Sequence, residues 1–147
     1  MDTLDLNIIE LLNQNARMSF RNIARELDVS MSTISNRVKR MEDEGIILGY
    51  APIVDSQKLG YDILVIIGVR ISKGRLIDVQ GRISKHERVV SVYDITGEWD
   101  SMIMARFKNR AELNRFIKDV LSMEFIDRTY THMVLNVVKE ENLVMPP

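Results

Sequence analysis

Along residues 4–41 apolar side chains return every three or four positions, whereas later in the chain they run on or alternate. Leu4, Ile8, Leu11 and Leu12 predict a first amphipathic helix, with acids in the first turn where the helix dipole favours them. After the break at "NQNARMS", Ser19 is placed to cap a second helix whose buried stripe is Ile23, Ala24 and Leu27. The turn "LDVS" is very short. Asp28 tolerates a left-handed backbone there, and Ser30 can accept from the free amides of a third helix. Ile34, Val38 and Met41 form the inner side of that helix, and Gly45 ends it as a left-handed cap. Two helices joined by so short a turn cross steeply, which is the helix-turn-helix arrangement.

From Ile46 to Gly60 the chain reads as a short linking strand, a proline-marked irregular stretch and a turn, together a hinge. The period then changes. "YDILVIIGVRIS" is a continuous β-branched strand, and "RLIDVQGRISKH" carries Leu76, Val79 and Ile83 on one helical stripe. "RVVSVYDI" and "DSMIMARF" are strands joined by "TGEW". "RAELNRFIKDVLSM" is a helix with Leu113, Phe116, Ile117, Val120 and Leu121 in step, and "IDRTYTHMVLNVVKE" is a fourth strand. The order βαββαβ is the ferredoxin-like unit, an antiparallel sheet with two helices on one face. The fold class is therefore α+β: a helix-turn-helix domain over residues 1–45, a linking strand and hinge over 46–60, and a ferredoxin-like domain over 61–147.

Both faces of that sheet are apolar. Ile63, Val65, Ile67 and Val69 oppose Leu64 and Ile66; Ile103, Ala105 and Phe107 oppose Met102 and Met104; Val134 and Val138 oppose Met133, Leu135 and Val137. Two helices cover one face only. Each large apolar side chain left in water forgoes about 1.5–3 kcal/mol of burial, so the second face calls for a partner. A second copy of the chain is the expected one, because two-fold self-association is the commonest oligomer.

Charge adds a surface. The net charge of the 147 residues is −1, yet residues 17–40 carry Arg17, Arg21, Arg25, Arg37, Lys39 and Arg40 against only Glu26 and Asp28. The third helix presents Ser32, Thr33, Asn36, Lys39 and Arg40 away from its apolar stripe, donors suited to base edges and phosphates in a major groove. Arg17, Ser19 and Arg21 suit flanking phosphates, and Ser30 and Arg37 complete the expected DNA-binding set. A solvent-facing helix of a structural bundle is the plain alternative. No cysteine is present, so disulfides and thiolate chemistry are excluded, and the composition fits a reducing cytoplasm. No apolar run approaches the roughly 20 residues that cross a bilayer. The opening "MDTLDLNIIE" has acids where a secretory signal needs cations, so no export segment is expected. His86 and His132 read as packing or surface residues. No metal, cofactor or catalytic group is expected, and the nine methionines read as adaptable filler.

The stretches "LDLNIIELLNQNARMSFRNIARELDVSMSTISNRVKRMEDEGII", "TGEWDSMI" and "RTYTHMVLNVVK" resemble the Lrp/AsnC, or feast-or-famine, transcription regulators, and the likeness runs the whole length of the chain. One departure is Asp28, where helix-turn-helix sequences often have glycine. The resemblance implies a dimer assembling into tetramers or octamers, promoter DNA and the transcription machinery as partners, and an amino-acid-like effector. By spacing alone "TGEWD" is a tight hairpin with Glu98 and Asp100 in water. The family carries a Gly-x-x-Asp turn lining a small-molecule pocket between dimers. Gly97 and Asp100 match it, with Glu98 and Trp99 between them, and Thr129 and Thr131 match polar positions on the last strand. Two rival functions share the scaffold: an architectural DNA-packing protein, and an enzyme processing tetrapyrroles. The basic face and the scarcity of histidine argue against the second.

Overall fold

The computed structural model describes residues 1–141, 143, 144 and 146. It divides into two compact units, Met1–Ile53 with Lys139–Pro147, and Val54–Val138. The first unit, the head, holds α1 (Thr3–Gln14), α2 (Phe20–Glu26) and α3 (Met31–Asp43). Each helix starts on a side chain that accepts from an orphan amide: Asp2, Ser19 and Ser30 respectively. Asp28 takes a left-handed φ of 52° in the turn between α2 and α3, and Gly45 takes 69° after α3. Ile8 of α1, Ile23 of α2, and Ile34, Val38 and Met41 of α3 meet in a single core and are excluded from water.

The second unit holds β1 (Ile63–Ile71), α4 (Leu76–Ile83), β2 (Val89–Asp94), β3 (Ser101–Phe107), α5 (Arg110–Leu121) and β4 (Ile126–Met133). Its strands lie in the order β2-β3-β1-β4, all pairs antiparallel, which is the ferredoxin-like arrangement. Val65, Ile67 and Val69 of β1 share a face with Ile103, Ala105 and Phe107 of β3. Val79 and Ile83 of α4 and Leu113, Phe116 and Val120 of α5 close over them in one core.

Four expectations change. No strand forms over residues 46–60; the amides of Ile46 and Ile47 turn back onto the Met41 carbonyl, and a turn follows Asp55. A strand needs a neighbour to pair with, and a single chain supplies none there. The last strand stops at Met133 because β1 begins at Ile63: the Val134 amide still reaches the Leu64 carbonyl, and residues 135–138 lie beyond the strand. The described residues after 138 belong with the head rather than with the sheet, and the Asn13 side-chain amide donates to the Val144 carbonyl at 3.1 Å. Leu121, at the end of α5, is exposed while its stripe is buried.

The sheet face opposite the helices carries its own device. One cross-strand row reads Tyr93, Met102, Gly68, Tyr130. Gly68 leaves a hole in that row, and the Trp99 indole fills it: a Cβ on residue 68 would stand 2.7 Å from Trp99 Cδ2. Gly68→Ala therefore has to lift the indole, an overpacking of about 1–3 kcal/mol. Trp99 is the only tryptophan, so its emission reads this contact directly. The expected outcome is a lower melting temperature with red-shifted emission; an unchanged spectrum would contradict the packing.

Candidate nucleic-acid and effector sites

The polar side of α3 is a continuous strip. Ser32, Ser35, Asn36 and Lys39 are exposed, and Thr33 is half-buried. The spacing 32, 36, 39 keeps one side of a helix, opposite Ile34, Val38 and Met41. At its start the Ser30 hydroxyl accepts from the Thr33 amide at 3.0 Å and bonds the hydroxyls of Ser32 and Thr33, each at 2.8 Å. Ser30 is thus committed as the cap, while its neighbours keep spare hydrogen-bonding capacity. Lys39 leans on Asp43 one turn later at 3.0 Å, an exposed pair that a phosphate can readily displace. Arg17 and Arg21 are exposed at the approach to α2, and Ser19 is its cap. Met31 and Ser35 complete the exposed surface and were not among the residues expected from sequence. Their positions, Met31 next to Ser32 and Ser35 about one turn after it, are the signal that would have included them.

Arg37 and Arg40 behave otherwise. Arg40 was expected to face outward with Lys39 and Arg37 to join the DNA-binding set, but both guanidinium groups turn inward to the start of α1. Arg40 Nη2 donates to Asp5 Oδ2 at 2.6 Å. Arg37 Nη1 donates to Asp2 Oδ2 at 2.5 Å and to Asp5 Oδ1 at 3.2 Å. Asp5 is fully buried, and Arg40 Nε is buried as well. The physical reason is the cost of enclosing a lone carboxylate: an ionised Asp5 among Ile8 and Leu12 needs cations, and α3 supplies them. Asp2 and Asp5 also close a capping box, each carboxylate accepting from the other's amide at 3.1 and 2.9 Å.

Electrostatics follow from that geometry. Burial pushes the Asp5 carboxyl up, but the Asp2 amide and the Arg40 and Arg37 guanidiniums outweigh it and hold the group down at about 2. The Asp5 amide, and then Arg37, hold Asp2 below the ordinary carboxylate range. A depressed carboxyl contributes stability that is fully present above its unfolded value of 3.8 and is lost as pH falls through about 2. Sequence reading took Asp5 as a dipole-favoured acid. The clue to its burial was its place three residues before Ile8, on the apolar stripe itself.

In the second unit, the β2–β3 turn is anchored to β1. The Asp100 amide donates to the Val69 carbonyl at 3.1 Å, and Asp100 Oδ2 accepts from the Ile71 amide at 2.8 Å with Arg70 Nε 3.6 Å away. Arg70 also donates to the Glu98 carbonyl. Arg128 grips the turn from β4, pairing with Glu98 at 2.7 Å and standing 4.8 Å above the Trp99 ring. Gly97, with φ 114°, gives the turn its bend. Strand alternation divides the remaining expected residues. Thr129 and Thr131 pair with Val69 and Ile67, so they share the helix-side face, whereas Trp99 lies over Gly68 on the other. One chain does not bring all six candidate effector residues together. Arg70, Arg128 and Tyr130, which hold the turn, went unanticipated because their contacts span 28 to 30 residues or cross the sheet.

Among the described residues no cluster of potential metal ligands occurs, and no helix is long and apolar enough to cross a membrane. Comparison with known proteins matches both units. Residues 1–47 match the winged helix-turn-helix DNA-binding family and residues 64–144 the Lrp/AsnC ligand binding domain. An uncharacterized HTH-type transcriptional regulator of Pyrococcus abyssi is 42% identical over 146 residues, covering 99% of either chain. E. coli AsnC superposes with a TM-score of 0.92 at 28% identity, covering 99% of each chain. A Neisseria meningitidis transcriptional regulator solved as a complex with L-Met gives a TM-score of 0.88 at 25% identity, covering all of this chain and 96% of its own. With a three-helix head, a β2-β3-β1-β4 sheet and relatives matched from end to end, the chain belongs to the Lrp/AsnC family of helix-turn-helix transcription regulators.

Proposed function

We propose that α3 is the recognition helix of a homodimeric regulator, with Ser32, Thr33, Ser35, Asn36 and Lys39 entering a major groove of promoter DNA and Arg17 and Arg21 meeting flanking phosphates. The observation that carries this reading is the uninterrupted exposed strip of donors on α3, opposite a side wholly spent on the head's core. Two copies per dimer would meet grooves about one helical turn apart, so the preferred duplex is near-palindromic. A duplex selected by the wild-type chain from a random pool, and then tested with a Ser32/Asn36/Lys39 triple alanine variant, checks it. The triple variant is expected to lose the selected duplex's advantage over a scrambled one, and wild-type binding is expected to weaken steeply with salt. Undiminished selectivity in the variant would overturn the assignment. A pool that yields no consensus would favour DNA packing over operator recognition.

Self-association is assigned to the uncovered sheet face, where Leu64, Ile66, Met102 and Met104 lie between Tyr93 and Tyr130, both more than half exposed. Dimers built there are the unit from which tetramers or octamers assemble. The protein works in the cytoplasm as a regulator acting with the transcription machinery, rather than as an enzyme. Sedimentation at micromolar concentration is expected to give a dimer or a larger species; a monomer would contradict the assignment.

The effector is assigned to the class of amino acids. A relative binds L-Met, and Gly97, Glu98, Trp99 and Asp100 with Thr129 and Thr131 supply an acid, an aromatic ring and hydroxyls of the kind that recognise one. Since one chain keeps Thr129 and Thr131 on the face opposite Trp99, such a site is completed between copies. Titration with the common amino acids, followed through Trp99 emission and by calorimetry, is expected to saturate for one or a few. Flat isotherms for all would remove amino acids as effectors.

A further inference from the structure

The recognition helix carries three cations within four residues, and they are not alike. Lys39 has an exposed head group, whereas Arg37 and Arg40 converge on one buried carboxylate from a different helix. Both carboxylate oxygens are engaged: Oδ2 accepts from the Asp2 amide and Arg40, and Oδ1 from Arg37. We infer that Asp5 is the positioning residue of the recognition helix, and that Arg37 and Arg40 serve DNA binding by setting how α3 is held, not by touching phosphates or bases. The inference rests on the reading of α3 given above.

The geometry favours clamping over contact for two reasons. A guanidinium leaving Asp5 for a phosphate would leave a buried anion with half its cationic compensation, a cost that a solvent-screened phosphate contact does not offset. The two arginines also fix α3 at two points one turn apart. Together with the apolar contacts of Ile34, Val38 and Met41, that limits both its rotation and its slide along α1. A side-chain reader one residue out of place meets the wrong base edge, so selectivity is what such a clamp protects.

Counterion release separates the two roles. A cation that neutralises a phosphate contributes about one to the slope of log affinity against log salt, while a cation already paired inside the protein contributes nothing. The experiment measures that slope, and the ratio of affinities for the selected and a scrambled duplex, in the full-length chain. Lys39→Gln is expected to lower the slope by about one. Arg40→Gln and Arg37→Gln are expected to leave it unchanged while lowering the selected-to-scrambled ratio by about tenfold. Asp5→Asn, which frees the Arg40 guanidinium beside the groove while Arg37 keeps Asp2, is expected to steepen the slope and strengthen binding to scrambled DNA while the ratio falls.

Far-UV dichroism establishes whether Asp5→Asn keeps its helices. If it does not, Arg40→Gln decides alone, since it leaves Asp5 paired with Arg37. A slope lowered by about one in Arg40→Gln, as in Lys39→Gln, would overturn the clamp and make Arg40 a phosphate contact. An unaltered ratio in all three clamp variants would overturn the positioning role. An unaltered slope in Lys39→Gln itself would instead count against α3 as the DNA-facing helix.

Discussion

A buried carboxylate shared by two arginines joins the first and third helices of the head, and the head's usefulness depends on it. The unit is small. Its core is eight buried apolar side chains, two or three per helix, and small cores leave helix orientation loosely specified. Hydrocarbon contact tolerates slippage, whereas an ion triad does not. If one cation leaves, the buried anion keeps only half its compensation; if the anion leaves, Arg40 loses its partner and Arg37 keeps only Asp2. Asp5 therefore supplies what Ile8, Ile34 and Val38 cannot, a single permitted rotation of α3 about its own axis. The polar strip of Ser32, Asn36 and Lys39 is aimed by that choice.

The sheet unit solves its own version of the problem by shape. Gly68 opens a gap in the middle of an otherwise large-residue row, and Trp99, delivered by the β2–β3 turn, drops into it. Arg70 then ties the turn to β1, which carries the gap, and Arg128 ties it to the neighbouring β4. Glu98, Trp99 and Asp100 thus hold the turn in place before any ligand arrives.

The elements themselves were legible in the sequence because each rests on local spacing. The three-and-four rhythm of Ile34, Val38 and Met41, the hydroxyls of Ser19 and Ser30, and the positive φ anticipated at Asp28 and Gly45 all involve neighbours within a turn or two. The two-residue alternation of β1 and β3 likewise predicted which side chains would share a face, and α4 and α5 cover the one with Val65, Ile67, Val69, Ile103, Ala105 and Phe107. What escaped were partnerships across distance. Arg37 and Arg40 look like free cations on a helical wheel; only folding brings them to carboxylates 32 to 35 residues away. The linking strand failed for a related reason, since strand propensity without a neighbouring strand yields no ladder, and nothing in "ENLVMPP" announces a return to the head. Thr129 and Thr131 matched a family motif by position, but the pleat of β4 places them on the face away from Trp99.

The most direct test is to titrate the Asp5 side-chain carbon by carbon-detected NMR, in the free protein and again in its complex with the selected duplex. The account predicts a carboxyl titrating at about 2 when free, and equally low on DNA, because Arg37 and Arg40 stay where they are. A free value near the ordinary 3.8, or a rise when DNA binds, would mean that the arginines leave Asp5, and the head would then lack the clamp on which its aim depends.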